Sequence, residues 1–129
     1  MNTYNINIGS LEKEMSELEE EELLRDQRIL EILLSKRIYR IKYGELSFYV
    51  YRSGREDYVI IPRIMCTCPD FIMNVIMRRK RSSCIHLRAL EIAIKKNYFR
   101  EIVLDKEKFE KVLYSAVLSG KLSEDLSQE

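Results

Sequence analysis

The three cysteines and the single histidine of this 129-residue chain all lie in one short stretch near its centre. Cys66 and Cys68 stand two residues apart, and Cys84 stands two residues before His86. Three thiols and one imidazole complete a tetrahedral Cys3His set, which is typical of a structural zinc site with no position left for a water nucleophile. The pattern therefore predicts a Zn2+-binding module held by these four side chains.

The spacing of each ligand pair suits a different element. Residues two apart on a strand project from the same face, so Cys66 and Cys68 can both point at one metal ion. Residues two apart on a helix diverge, so Cys84 must lie at or just before a helix start with His86 in the first turn. Two serines ahead of Cys84 offer caps, and we predict a helix from Ile85 to Asn97.

Three other interpretations of the cysteines are weaker. A disulfide between Cys66 and Cys68 would close a small strained ring, and any single disulfide leaves one thiol over. A core of free cysteines does not explain why the only histidine lies beside one of them. A catalytic Cys/His pair needs an activated thiol and a third orienting group, and no such group stands nearby in the sequence.

These residues resemble a known family. The segments Cys66-Thr67-Cys68-Pro69-Asp70-Phe71 and Cys84-Ile85-His86-Leu87-Arg88-Ala89 are similar to the C-x-C and C-x-H halves of a SWIM zinc finger. The resemblance covers about residues 38 to 98 and carries over only the four metal ligands. It implies a small antiparallel sheet before the first ligands and a helix after the last.

SWIM domains occur in transposases, SNF2-type ATPases, ubiquitin ligases and the SWIM subunits of Shu-type complexes that assist RecA-family recombinases. A length of 129 residues suits one domain with extensions and leaves no room for an ATPase or nuclease domain. The resemblance then implies the Shu-type subunit, a non-enzymatic accessory of homologous recombination and DNA repair that pairs with a RecA-family recombinase paralogue.

An alternative function is a DNA-binding regulator or mobile-element accessory that acts without a recombinase and could form a homodimer. An enzyme is not expected, and no catalytic residue is assigned. The lone histidine is committed as a ligand, and the sequence shows no paired carboxylates or phosphate-binding loop.

Alternating apolar residues predict a three-stranded antiparallel meander ahead of the ligands. The first two strands have their apolar positions at Tyr39, Ile41, Tyr43, Leu46, Phe48 and Val50. Gly44-Glu45 fits a two-residue hairpin turn, and residues 53 to 57 make a second turn into a strand from Tyr58 to Arg63. The predicted fold class is therefore α+β, a small sheet plus a zinc-anchored helix, flanked by an N-terminal and a C-terminal helix.

The flanking segments complete the predicted domain organisation. Residues 1–36 form an acidic helical extension, as a long helix or two short ones capped by Ser10, and residues 37–100 form the zinc-binding domain. Residues 101–120 form a C-terminal helix with Asp105 as its cap and Gly120 as its stop, packed against the zinc-anchored helix. Residues 121–129 are expected to be a flexible polar tail.

The net charge of +1 conceals a strong partition along the chain. Residues 1–34 sum to −6, residues 35–100 to +10 and residues 101–129 to −3. The sharpest basic feature is the tetrad Arg78, Arg79, Lys80 and Arg81, which could contact DNA phosphates in a sequence-independent manner, or simply solubilise a loop. Tyr49 and Tyr51 are candidates for stacking on the bases of single-stranded DNA, although strand tyrosines usually pack within a sheet.

Six of the seven residues from Phe71 to Met77 are apolar. We expect Phe71 to be buried, and we hypothesise that Ile72, Met73, Ile76 and Met77 form a surface that binds a protein partner. The alternative is that they pack under the N-terminal helix.

The sequence has no apolar run long enough to cross a bilayer and no charged-then-apolar leader at Met1. We therefore expect an intracellular protein, cytoplasmic or associated with the nucleoid, that is not secreted and does not bind membranes.

Overall fold

A computed structural model describes residues 26–122, which form one five-stranded sheet with helices on both faces. The elements in chain order are helix α1 (Gln27–Leu34), strands β1 (Ile38–Tyr43), β2 (Leu46–Arg52), β3 (Asp57–Ile61) and β4 (Met65–Cys66), the π-helix π1 (Phe71–Met77), helix α2 (Ile85–Lys96), strand β5 (Arg100–Val103) and helix α3 (Lys106–Ser119). The predicted α+β class is correct in outline. The predicted three-stranded sheet is wrong, because β4 and β5 extend the meander on its two sides. Ser10 and the other residues predicted as helical before Asp26 lie outside the described residues, as do residues 123–129 of the tail.

The central hairpins follow the alternation in the sequence. Strands β1 and β2 pair antiparallel, with Tyr43 opposite Leu46 and Gly44-Glu45 as the turn. Gly44 has a φ of +57°, a left-handed conformation that glycine adopts without a steric cost. The second turn ends where β3 begins at Asp57, and β3 pairs antiparallel with β2.

The two added strands are short. The sheet order is β4-β3-β2-β1-β5, with β4 antiparallel to β3 and β5 parallel to β1. In the β1–β5 pair, Arg40 lies opposite Glu101 and the two side chains form an ion pair. A parallel neighbour requires a long crossover, so residues far apart in sequence make this pair. A four-residue strand whose pairing is wholly non-local leaves no local signal in the sequence.

Each face of the sheet carries its own apolar core. Ile38, Tyr49 and Ile60 point to the face covered by α1 and α2. Ile41, Phe48 and Val59 point to the opposite face, where α3 packs through Phe109, Val112 and Ala116. The expectation that the C-terminal helix packs against the zinc-anchored helix is therefore wrong. Side chains that alternate along a strand supply two buried faces, and α3 covers the face that α2 leaves open.

Helix α1 is short and capped. The Asp26 side chain accepts a hydrogen bond from the backbone N–H of Arg28 at 2.9 Å. Ile29, Ile32 and Leu33 are buried against the core shared with α2.

Helix α3 has the predicted ends. Asp105 accepts a hydrogen bond from the N–H of Lys108 at 2.9 Å, and Gly120 adopts a φ of +73° at the helix end. Buried Asp57 then holds the chain that follows: its N–H donates to the Gly120 carbonyl at 2.7 Å and its Oδ2 accepts from the Leu122 N–H at 2.8 Å. Among residues 26–122, no helix is long and apolar enough to cross a membrane.

Candidate metal centre

The structure brings the four predicted ligand residues together. One ligand atom from each of Cys66, Cys68, Cys84 and His86 lies within 4.8 Å of the other three. The three cysteines are buried and free, so the disulfide alternative is not realised. Four ligands about 2.3 Å from a tetrahedral ion are about 3.8 Å from one another, so the spacing fits one metal ion.

Strand β4 positions the first pair of ligands. Cys66 lies opposite Ile60 in the β3–β4 ladder. Beyond it, the Thr67 N–H donates to the Val59 carbonyl at 3.0 Å, and the Thr67 hydroxyl accepts from the Val59 N–H at 2.9 Å. These two bonds keep the chain extended past the end of β4, so Cys66 and Cys68 point to the same side.

The start of α2 positions the second pair. Cys84 is the N-cap residue with extended backbone (φ −111°, ψ 168°), and the helix begins at Ile85. His86 therefore lies in the first turn, as the spacing predicts. The cap position belongs to the ligand itself and not to the serines before it. Helix α2 then buries Leu87, Ala89 and Leu90 in the core beside the site.

The turn after Cys68 contributes a hydrogen bond to sulfur. The backbone N–H of Phe71 donates to Cys68 Sγ at 3.4 Å, and the Ile72 N–H donates to the Cys68 carbonyl at 3.2 Å. Phe71 is buried, as predicted, and anchors the start of π1 against the core. This hydrogen bond and the buried Phe71 ring fix the turn that follows Cys68.

The charges of the four groups depend on one another. Hydrogen bonds from Cys66 and Cys68 lower the pKa of Cys84, and hydrogen bonds with Cys68 and Cys84 together with burial raise the pKa of Cys66. Burial lowers the pKa of His86, but the nearby sulfurs of Cys68 and Cys84 outweigh it and raise the pKa to about 9. Negative charges on sulfurs this close repel one another, so a bound cation would stabilise the group.

The His86 ring is held by two tyrosines, and one of its nitrogens has no hydrogen-bond partner within residues 26–122. It packs between Tyr51 and Tyr58, with ring centroids 5.2 Å and 5.1 Å away. Its Nδ1 is buried and has no hydrogen-bond partner among the described residues. A buried polar atom of this kind is costly unless it binds something. The donor set of three thiols and one imidazole fits a bound metal ion.

The basic tetrad lies just after π1. The N–H groups of Lys80 and Arg81 both donate to the Asn74 carbonyl, and Arg79 adopts a φ of +53°. All four side chains are exposed. Arg81 is nevertheless paired, because its Nη1 lies 2.9 Å from both oxygens of Asp70. Arg78, Arg79 and Lys80 therefore form the part of the tetrad directed at solvent.

The predicted partner surface lies on π1. Ile72, Met73, Ile76 and Met77 are exposed by 43%, 39%, 58% and 67%. Val75 is partly buried against the core with Phe71. Within residues 26–122, the outward face of π1 is thus an apolar strip that directly precedes the basic tetrad.

Three residues that support the site, and the packing of two tyrosines, were not predicted from the sequence. Thr67, Tyr51 and Tyr58 hold the ligands, and the hairpin register could have found the two tyrosines because they are cross-strand neighbours. Tyr49 is buried against Phe99, with ring centroids 5.5 Å apart, so it cannot stack on bases. Tyr51 packs on His86 instead of forming a free platform.

The chain is 35% identical over 69 residues to an uncharacterized protein of Archaeoglobus fulgidus. The match covers 54% of this chain and 53% of the relative, so the chain spans about half of that protein's length. No protein-family model and no solved structure matches the chain.

Proposed function

We propose that this protein is a SWIM-type zinc protein that acts as a non-enzymatic accessory in homologous recombination and DNA repair. The observation that carries the proposal is the gathering of Cys66, Cys68, Cys84 and His86 into one buried site. Three thiolates and an imidazole are ligands that zinc prefers, and a closed set of four suits a structural role.

Bound zinc would join two elements that share few other contacts. Cys66 and Cys68 extend from the edge strand β4, and Cys84 and His86 begin α2. The ion would neutralise the thiolates and fix α2 to the end of the sheet, and in small zinc modules metal binding and folding are one equilibrium. The metal would therefore shape a surface, and the chemistry would be carried out by a partner.

Two surfaces beside this site support a role with DNA and protein. Arg78, Arg79 and Lys80 would contact phosphates without reading sequence, in single-stranded or duplex DNA. The apolar strip Ile72, Met73, Ile76 and Met77 would bind a RecA-family recombinase paralogue, because methionines among branched aliphatics adapt to a partner's surface. Both functions place the protein inside the cell, in the cytoplasm or on the nucleoid.

Copurification of the native protein from its source tests the proposal. We expect a RecA-fold ATPase in stoichiometric amount, with zinc retained in the complex. A homodimer that selects one DNA sequence would instead indicate the regulator or mobile-element alternative. Metal-free protein with a native fold would contradict the zinc assignment itself.

A further inference from the structure

A second basic feature lies on the opposite face of the sheet from the metal centre. It is a cleft of about 400 Å³ at the end of the sheet where β1 begins and β2 ends. Its wall includes Arg37, Tyr39, Arg52, Arg55, Asp57 and Lys121. These residues come from three separate parts of the chain, so the positive charge here is created by the fold.

Sheet register places two of these cations side by side. The Arg52 N–H donates to the Arg37 carbonyl at 3.0 Å, which continues the β1–β2 ladder in which Ile38 faces Tyr51. Ile38 and Tyr51 point to the metal-centre face, so their neighbours Arg37 and Arg52 point to the α3 face. Like charges directly opposite one another on a sheet are destabilising.

The acidic groups nearby neutralise only part of this charge. Arg52 Nε lies 3.3 Å from Asp57 Oδ1, while the Arg37 guanidinium donates to the uncharged Ser53 carbonyl at 3.2 Å. Exposed Arg55 and Lys121 add two further charges. Four cations against Asp57 leave an excess of three within the lining. The Glu56 carboxylate, which approaches Gly120 at the flank, reduces the excess to two.

The positive charge continues along the sheet. Arg100 on β5 lies opposite Tyr39, and its guanidinium is 5.9 Å from the centre of that ring. Arg52 on β2 lies opposite Arg37, which stands just before β1, and Arg100 on β5 is offset from Arg37 by two residues, about 6.6 Å along the strand direction. A row of cations of this kind matches a linear polyanion better than one compact anion.

We propose that this cleft binds the phosphate backbone of a DNA strand. The inference rests on the proposed DNA contact and adds a second surface, separate from the tetrad. Asp57 neutralises only one of the two neighbouring guanidinium groups, and a phosphodiester chain would offset the remaining repulsion by pairing with each cation in turn.

Three variants that each remove two charges test the proposal on the zinc-loaded, full-length protein. They are R55Q/K121Q in the cleft, R78Q/R79Q in the tetrad, and the control K106Q/K108Q at the far end of α3, about 20 Å away along the helix from Lys121. Binding to a labelled oligothymidylate is measured by fluorescence anisotropy between about 50 and 200 mM NaCl. Circular dichroism confirms that each variant is folded.

We expect R55Q/K121Q to bind the oligonucleotide several-fold more weakly than the wild type. The negative slope of log K against log salt should become shallower by about 1.4, since each phosphate contact on a single strand contributes about 0.7. K106Q/K108Q should bind the oligonucleotide as the wild type does.

If R78Q/R79Q lost binding while R55Q/K121Q bound like the wild type, the cleft proposal would be overturned. The DNA contact of the proposed function would then stand on the tetrad alone. A wild type that binds no oligonucleotide would overturn both. The protein could instead sediment with phosphatidylglycerol vesicles in a manner that depends on Arg55 and Lys121, without binding the oligonucleotide. That result would overturn the DNA proposal and identify a lipid phosphate as the ligand of the cleft.

Discussion

Cys84 combines two features at one position, since it is the N-cap residue of α2 and one of the four residues that could hold a metal ion. An N-cap residue has extended backbone, so its side chain lies beside the first turn and not on the helix surface. This geometry is what allows ligands two residues apart to converge at a helix start. The positive end of the helix dipole also favours a thiolate there. A single sequence spacing therefore fixes both the helix start and the position of the candidate metal ligand.

Replacing Cys84 with serine should abolish stoichiometric zinc and near-ultraviolet circular dichroism together, because metal binding and folding are coupled. Elemental analysis of the freshly purified protein gives the first quantity. The exposed Ser82→Ala change next to the site is the control and should retain both. A C84S protein that kept its full complement of zinc would show that Cys84 is not a ligand.

Core packing is tested on the same helix. Leu90 is fully buried, so Leu90→Ala should lower the free energy of unfolding by about 2 to 5 kcal/mol through the cavity that it leaves. Ile94→Ala on the same helix is the matched control, since Ile94 is 38% exposed and should cost much less. Urea unfolding at saturating zinc measures both. Equal losses would mean that α2 does not pack as described.

At the scale of elements, strand β4 depends on the Thr67 side chain to complete its hydrogen bonding with β3. The strand has only two residues, and the Thr67 hydroxyl accepts the Val59 N–H that the ladder would otherwise leave free. A buried donor without a partner costs more than the bond itself contributes. Thr67 therefore helps to place Cys68 beyond the end of the strand.

Thr67→Val keeps the shape of the side chain and removes its acceptor. We expect a loss of about 1 to 3 kcal/mol in unfolding free energy and faster amide exchange at Val59. Thr67→Ser restores the hydroxyl and should behave like the wild type. If T67V and T67S were equally stable, the hydrogen bond would have no structural role.

Local pattern determined which elements could be predicted. The alternation and the Gly44 turn predict the first hairpin, and Asp105 and Gly120 predict both ends of α3. Strand β5 could not be predicted from local pattern, because its partner β1 lies about 60 residues earlier in the sequence. The helical form of Phe71–Met77 was also missed, since its apolar residues follow no single-face period.

At the scale of the whole molecule, the sheet divides the surface into two regions. The metal centre, π1 and the tetrad are attached to one face, while α3 and the basic cleft lie on the other. The positive charge of residues 35–100 is thus divided between two separate surfaces. A protein partner on the π1 strip would leave the cleft free.

Ile72→Glu combined with Ile76→Glu should abolish the complex with the proposed RecA-family partner, because two charges would be buried in an apolar interface. The protein should stay folded, since both side chains are exposed. Val117→Glu with Leu118→Glu places the same two charges on exposed positions of α3 and should leave the complex intact. Pull-down and size-exclusion chromatography compare the two. An intact complex with the π1 variant would contradict the assigned surface.

The sequence by itself determined the four residues of the candidate metal site, the start of α2, the central hairpin and the ends of α3, because each depends on residues close together in the chain. Only the tertiary structure decided the number of strands, the face on which α3 packs, the tyrosines that hold His86 and the grouping of Arg37, Arg52, Arg55 and Lys121. Those features depend on which distant segments become neighbours. Pairing energies between distant segments are shared across the whole core, so no local pattern records them.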